Sequence, residues 1–268
     1  MTIIESILLG ILQGVTEFIP VSSSGHLLLL KELFGLRDIG LLFDILLHIA
    51  TLLVTVIVFW KRISTILLAL FHWAFLRSRY SEEDRVQVKL AGLILLATVV
   101  TGVIGISIRD LVATFPARGV ATLLMVTGVI LLSTRWISEG SKEYSQITWK
   151  DALIMGLVQG VAVLPGISRS GITIVTGLML KQTRKTAGEF SFIISLPAIL
   201  AALLLSLDEF AGLTEAASFQ VVTIGFIASF VVGLLSLLLL LRFVRSGKLY
   251  WFALYLIPVA ILGLIFLP

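Results

Sequence analysis

Residues 13–26 read QGVTEFIPVSSSGH, a polar segment with long apolar stretches on both sides. A glutamate, a proline, three serines, two glycines and a histidine in this segment interrupt both the helix and the apolar run. A lipid bilayer tolerates such backbone only where protein or a water-filled cavity covers it. The segment therefore predicts a cavity inside a membrane protein.

The composition is that of an integral membrane protein. Hydrophobic residues make up 58% of the 268 residues, charged residues 13%, and the mean hydropathy is +1.11. A soluble core of this size cannot hide so much apolar surface. The expected partner is a lipid bilayer and not nucleic acid, and the absence of cysteine excludes disulfides and thiolate metal sites.

Six stretches are long and apolar enough to cross about 30 Å of hydrocarbon, which takes roughly 20 helical residues. We expect one membrane helix in each of them: 41–60, 89–108, 118–137, 187–206, 219–241 and 249–267.

The polar break recurs 146 residues later. Residues 3–19 and 22–35 are two short apolar pieces around the first break, which is typical of a re-entrant hairpin over about residues 3–35. Residues 151–182 have the same layout and predict a second hairpin. A gap-free shift aligns Gly10, Gln13, Gly14, Val15, Ser22, Ser24 and Gly25 with Gly156, Gln159, Gly160, Val161, Ser168, Ser170 and Gly171.

The fold class is therefore an all-α polytopic membrane protein with six full transmembrane helices and two re-entrant broken hairpins. Three spans separate the hairpins, so the two repeats, residues 1–137 and 150–268, should have inverted topology within one domain of residues 1–268. Such folds bring discontinuous helices together near the midplane to line a site. We expect the two polar breaks to meet there.

The basic residues predict the orientation. One predicted face has four basic residues, Lys31, Arg37, Arg109 and Arg118, and its loop 207–216 has only acidic charges. By the positive-inside rule the other face is cytoplasmic, so both termini and the mouth of the first hairpin should lie outside. The predicted cytoplasmic face has fifteen basic residues: Lys61, Arg62, Arg77, Arg79, Arg85, Lys89, Arg135, Lys142, Lys150, Lys181, Arg184, Lys185, Arg242, Arg245 and Lys248.

Gln13 and Glu17 begin the first break and lie four residues apart, so a helix places both side chains on one face. Glu17 is suited to act as a base or to bind a divalent cation, and its structural alternative is to stabilise the turn.

Ser22, Ser23 and Ser24 precede a short helix, whose first N–H groups attract phosphate. N-capping is the alternative for Ser22 and Ser24. His26 lies three residues after Ser23 on the same helical face, where it can exchange a proton.

Residues 165–173, PGISRSGIT, form the second break. Arg169 lies inside the membrane, and burying it alone costs roughly 2.5 to 3.5 kcal/mol on insertion scales. It needs an anionic partner, either Glu17 or a ligand, and its planar guanidinium can bind two phosphate oxygens. His48 and His72 lack such neighbours in the sequence, so we expect them to be structural or interfacial.

The two motifs resemble the signatures of the undecaprenyl-diphosphate phosphatase family, also called BacA, and length, span count and repeat layout agree along the whole chain. The resemblance implies a bacterial plasma-membrane enzyme that converts undecaprenyl diphosphate to the monophosphate carrier of peptidoglycan synthesis, with Mg²⁺ or Ca²⁺ as its cofactor. It assigns catalysis to Glu17, Ser23, His26 and Arg169, and the metal to Glu17. Substrate binding falls to Gln13, Ser22, Ser24, Ser168, Ser170 and Thr173.

In the predicted mechanism, Arg169, a cation on Glu17 and helix-end N–H groups hold the diphosphate. Ser23 attacks the terminal phosphorus and His26 handles the proton; whether serine or histidine attacks stays open. A secondary transporter or lipid flippase is the alternative, because inverted repeats with broken helices are also transporter architecture. Small residues in the spans would permit a homodimer.

Overall fold

The computed structural model describes residues 1–34, 41–205 and 219–267. In these ranges the chain is helical, with an isolated parallel bridge between Lys142 and Gln182 and no strand. The predicted outer-face residue Arg37 and the acidic loop 207–216 lie outside the described residues. The helices are α1 Ile3–Phe18, α2 Ser23–Phe34, α3 Leu41–Val58, α4 Trp60–Phe75, α5 Glu82–Ser107, α6 Arg109–Ala113, α7 Ala117–Ser133, α8 Trp149–Val161, α9 Arg169–Met179, α10 Arg184–Leu205, α11 Phe219–Arg245 and α12 Ala253–Phe266.

Four helical stretches in the described residues are long and apolar enough to cross a membrane: α5, α10, α11 and Leu249–Phe266. A fifth is obtained only if α3 and α4 are taken together across a bend of 76°. The helix α7 is apolar but has 17 residues. The chain is thus a multi-pass helical membrane protein, whose described part has four or five membrane-length helices, and each of the six predicted spans falls on a helix. The prediction took residues 61–88 as a connection, and the helix α4 was missed there.

Both hairpins begin with the same cap. Thr2 accepts a hydrogen bond from the backbone of Glu5, whose carboxylate accepts one from the backbone of Thr2, and Thr148 and Asp151 form the same capping box at α8. The helix α1 ends before Pro20, and α8 ends before the turn that contains Pro165. The 146-residue repeat therefore includes the caps as well as the breaks.

Each hairpin packs against a long helix of the other half of the chain: α1 lies against α11, and α8 lies against α5. Small residues allow this close approach. A Cβ on Gly10 would collide with the backbone of Gly225, and one on Gly156 would collide with the backbone of Ala97. The helices α7 and α12 pack on each other. Hence each hairpin is held by an equivalent contact with a long helix of the other half.

The segments that carry most of the basic residues contact one another. Lys89 donates to the carbonyl of Ser145 at 3.0 Å, and the guanidinium of Arg62 lies over the ring of Tyr144, 4.1 Å from its centroid. Tyr144 donates to Glu189 at 3.1 Å, and burial is the main cause that raises the pKa of Tyr144. The backbone N–H of Lys142 donates to the carbonyl of Lys181 at 2.9 Å, and the guanidinium of Arg135 lies 5.8 Å from the ring centroid of Tyr250. The connections after α7, α9 and α11 thus meet at one end of the molecule.

Candidate active site

The polar breaks of the two hairpins meet, as the sequence predicts. The backbone N–H of Gly166 donates to Ser22 Oγ at 3.1 Å, and Ser170 Oγ donates to the carbonyl of Phe18 at 3.1 Å. The Cα of Gly171 lies so close to Pro20 that a Cβ there would be 3.1 Å from the proline ring. These contacts join the end of α1 to the start of α9.

Glu17 is the centre of the site. Its carboxylate is buried at the end of α1 and receives Arg169 on Oε1. Oε2 accepts hydrogen bonds from Ser23 Oγ at 2.7 Å and from Gln13 Nε2 at 3.2 Å. The ion pair between Arg169 and Glu17 is one of the two partnerships that the sequence offered for this arginine. The second hairpin thus supplies the guanidinium of Arg169, while the first supplies the carboxylate and the hydroxyl.

Ser22 forms a tight turn directly before Ser23. It has φ = 71°, a left-handed conformation that costs a non-glycine residue about 1–2 kcal/mol. Its Oγ accepts from the backbone N–H groups of Gly25 at 3.3 Å and Gly166 at 3.1 Å. These hydrogen bonds stabilise the strained turn. Ser22 therefore has a structural role of the kind that the sequence offered, as capping, for the alternative to substrate binding.

His26 lies behind this turn. Its Nδ1 is 2.9 Å from the carbonyl oxygen of Ser22, and its Nε2 is 2.9 Å from the hydroxyl of Tyr255. The two rings stack with centroids 5.8 Å apart. In the described residues His26 makes no hydrogen bond with Ser23, so the proton exchange that the spacing predicts for this pair stays a prediction.

The remaining predicted polar residues surround the second break. Ser168 caps α9 by accepting from the N–H of Gly171 at 3.1 Å, and its own N–H donates to Thr127 at 3.2 Å. Thr173 bonds the carbonyl of Arg169 and the hydroxyl of Ser191. The second break is therefore a continuous polar network in which Ser168 and Thr173 hold the backbone around Arg169.

A cavity of about 420 Å³ opens at the junction of the hairpins. Glu17, Ser23 and Arg169 lie on its wall together with Ser22, Ser24, Ser168 and Ser170. An apolar part of the wall comes from α10 and the end of α8. It consists of Ala162, Val163, Ala198, Ile199, Ala202 and Leu203. The cavity thus combines a charged end with an apolar side.

Three polar residues on the cavity wall lie outside both predicted hairpins and were missed by the sequence analysis: Asp44, His48 and Thr101. The fold gives His48 a neighbour from another helix, because its Nε2 is 3.9 Å from Glu17 Oε2. The structural or interfacial role expected for His48 stays a prediction. Its Nδ1 is 2.8 Å from the carbonyl oxygen of Asp44. Asp44 and His48 are four residues apart within an apolar helix, and this spacing was the signal that could have revealed them.

The donors in the cavity fit a divalent cation that is shared with a ligand. In the described part of the chain no group of three or more His, Asp and Glu side chains is close enough to hold a metal ion alone. Glu17 and Asp44 are the carboxylates on the cavity wall. Mg²⁺ is commonly bound by one or two carboxylates together with substrate phosphates and water. This donor set suits that arrangement.

Comparison with known families gives a consistent result. The family described as "Bacitracin resistance protein BacA" matches residues 6–262. The chain belongs to this family. It is 42% identical over 261 residues to the undecaprenyl-diphosphatase of Treponema denticola, which covers 97% of this chain and 96% of the relative. The undecaprenyl-diphosphatase of Desulforapulum autotrophicum is 40% identical, with 99% and 98% covered, and undecaprenyl-diphosphatase 1 of Shouchella clausii is 36% identical, with 99% and 97% covered.

Within this BacA family chain, the geometry brings together Gln13, Glu17, Ser23 and Arg169 through direct side-chain contacts. Ser22, Ser24, Ser168 and Ser170 lie on the same cavity wall. Thr173 and His26 support the two turns from behind.

Proposed function

We propose that this protein is an undecaprenyl-diphosphatase, which hydrolyses the C55 polyprenyl diphosphate to the monophosphate carrier of cell-wall synthesis and inorganic phosphate. The observation that carries the proposal is the group formed by Glu17, Ser23 and Arg169 on the wall of one cavity. Family membership and relatives named undecaprenyl-diphosphatase support the same assignment.

Arg169 binds the diphosphate. One of its terminal nitrogens, Nη1, is buried and has no hydrogen-bond partner in the described residues, while Nη2 contacts Glu17. An unpaired guanidinium N–H in a buried site is costly, and a phosphate oxygen would satisfy it. The prenyl chain then lies along the apolar side of the cavity, against Ile199 and Leu203.

Ser23 is the nucleophile and Glu17 is the base. Ser23 Oγ already donates to Glu17 Oε2 at 2.7 Å, which is the contact that general-base activation requires. Glu17 takes the hydroxyl proton as Ser23 Oγ bonds to the terminal phosphorus, and the bond to the bridging oxygen breaks to release the lipid monophosphate. Water then attacks the phosphoserine, and Glu17 returns its proton to Ser23 Oγ as inorganic phosphate leaves.

The proposed cofactor is a divalent cation, Mg²⁺ or Ca²⁺, which Glu17 would hold with Asp44 as the second carboxylate. When bound, such an ion neutralises phosphate charge. A phosphate-release assay with purified protein in detergent tests both proposals. Release should stop on addition of a chelator and return with Mg²⁺ or Ca²⁺. Undiminished release in the chelator would contradict the cation, and no release under any of these conditions would contradict the activity.

The same assay separates the enzyme from the alternative function. A secondary transporter or flippase would move the lipid between leaflets of a vesicle without releasing inorganic phosphate. The nucleophile and base in direct hydrogen-bond contact favour hydrolysis, because a transport site needs neither. Lipid movement without phosphate release would reverse this assignment.

For the membrane arrangement, we propose six crossings and two re-entrant hairpins in two inverted repeats, with the cavity open to the outer side. Support comes from the equivalent packing of α1 on α11 and of α8 on α5. The contacts among the basic connections, which the positive-inside rule assigns to the cytoplasm, agree with it.

The absence of cysteine makes the topology testable with single cysteines. In intact cells a membrane-impermeant maleimide should label Thr114→Cys, at the exposed turn before α7. It should label Ser145→Cys, at the basic end, only after permeabilisation. The opposite pattern of labelling would show the inverted topology.

A homodimer is a separate proposal, which rests on the small residues of the spans and is tested by the mass of the protein–detergent complex.

A further inference from the structure

We propose that His26 and Tyr255 are positioning residues, which hold Ser22 in its left-handed conformation and thereby direct Ser23 towards Glu17. The proposal rests on the phosphatase function proposed above. It assigns a function to Tyr255 on α12, far from both sequence motifs, and gives His26 a role other than proton transfer.

The first step is the tautomer of His26. The carbonyl oxygen of Ser22 can only accept a hydrogen bond, so the His26 Nδ1 that lies 2.9 Å away must carry the proton. His26 Nε2 then has a lone pair, and the hydroxyl of Tyr255 at 2.9 Å is its donor. Both ring nitrogens are therefore occupied by partners other than Ser23.

The second step is the backbone that this chain of hydrogen bonds reaches. The Ser22 carbonyl also accepts from the backbone N–H of His26 at 3.1 Å. Ser22 is one of two described non-glycine residues with a positive φ, and Ser23 follows it directly. A left-handed residue persists only where its surroundings fix it. Tyr255, His26 and Ser22 thus form a series of contacts that ends one peptide bond before the nucleophile.

The third step is the location of the imidazole relative to the cavity. Ser22, Ser23 and Ser24 lie on the cavity wall, whereas His26 is buried behind the turn with its ring stacked on Tyr255. A group that acts on the attacking hydroxyl must come within hydrogen-bond distance of it, and Glu17 already does so. The geometry therefore assigns His26 to stabilising the turn and Glu17 to accepting the proton of the Ser23 hydroxyl.

Substitutions at His26 test the proposal directly. The side-chain amide of asparagine places a donor where His26 Nδ1 lies and cannot accept a proton from Ser23. We expect His26→Asn to keep kcat within about ten-fold of the unsubstituted protein, and His26→Ala to lower it by about 100-fold or more. KM and the inhibition constant of inorganic pyrophosphate should stay within about two-fold in both, because Arg169 is untouched. Equal losses of kcat in the two variants would overturn the proposal.

Tyr255→Phe removes the donor to His26 and keeps the stacked ring. We expect kcat to fall by about three- to ten-fold, and by no further factor when the change is added to His26→Ala, because both residues act along one path. Tyr250→Phe and His72→Asn, at the basic end of the molecule, are the matched controls and should leave kcat unchanged. An independent loss from Tyr255→Phe in the His26→Ala protein would contradict the proposed path.

Elution as a single species and the thermal midpoint in detergent show whether each variant is folded. If His26→Ala does not fold, the comparison of His26→Asn with the unsubstituted protein and the Tyr255→Phe measurement still decide. A failure of the proposed function is distinct, because the unsubstituted protein would then release no phosphate.

Discussion

The two hairpins share one backbone plan and differ in chemistry. At the positions of Glu17 and Ser23 in the first hairpin, the second has Val163 and Arg169. The caps, the glutamines and the glycines that allow close helix packing are common to both. A repeated frame thus brings two breaks together, while the residues that differ supply a base and nucleophile from one side and a cation from the other.

The turns themselves differ as well. The first hairpin places Ser22 in the left-handed region, whereas its counterpart Ser168 has φ = −77° and caps α9 in the ordinary way. The second hairpin has its left-handed residue two positions earlier, at Gly166 with φ = 98°. Since Gly166 N–H donates to Ser22 Oγ, the two unusual residues are direct partners.

The largest effect should come from the residue in which the hairpins differ most. Ser23→Ala removes the nucleophile, and we expect phosphate release to fall by at least about 10³-fold. Ser145→Ala, at the exposed basic end of the molecule, is the control and should leave phosphate release unchanged. Near-normal turnover by folded Ser23→Ala protein would exclude the serine mechanism.

Arg169→Ser makes the two hairpins alike at this position. It removes the phosphate ligand and leaves the buried Glu17 without its cation, so we expect a loss of about 10²- to 10³-fold in kcat/KM and a lower thermal midpoint. Arg169→Lys keeps the charge but not the planar fork and should lie between. Arg118→Ser, at an exposed site, should change neither quantity; an equal loss in that control would show a general effect of removing a charge.

Much of the pair of hairpins was predictable from sequence. The polar break that recurs after 146 residues identified both hairpins. An arginine inside a membrane requires an anionic partner, and the sequence offered Glu17 or a ligand for Arg169. The direction of the His26 ring was not predictable, because its partner Tyr255 is 229 residues away and helical spacing relates only residues within one helix. The neighbour of His48 was not predictable for a similar reason, because Glu17 lies on another helix.

The span count was harder to predict. Hydropathy marks apolar length, and the window 41–60 met that criterion, yet the chain bends by 76° between α3 and α4. The polar residues of α4 lie mainly near its start, at Lys61, Arg62, Ser64 and Thr65, and its buried residues are Ile66 and Ala69. A window average does not detect such a bend, because it records composition and not direction.

The left-handed glycine of the second turn should matter for stability more than for chemistry. At Gly166 a Cβ would collide with the carbonyl of Val120 and with Leu123, and the positive φ adds strain. We expect Gly166→Ala to destabilise the fold by on the order of 2 kcal/mol. Ser22→Gly relieves the strain in the first turn but loses the Oγ contacts, so its midpoint should change much less. If Gly166→Ala lowered the thermal midpoint less than Ser22→Gly, the first turn and not the second would be the more important one for stability.

The smallest effects concern the packing that the hairpins share. Because Gly10 and Gly156 make equivalent backbone contacts with Gly225 and Ala97, Gly10→Ala and Gly156→Ala should destabilise the protein by similar amounts, about 1–3 kcal/mol each. Gly102→Ala on α5 is the control, since no atom lies within 4 Å of its added methyl group, and helix propensity predicts a gain of up to about 1 kcal/mol. The thermal midpoints of the three variants measure these changes in stability. A large loss at Gly156 with none at Gly10 would mean that the two halves do not share one packing plan, and the likeness of the hairpins would then be limited to their polar breaks.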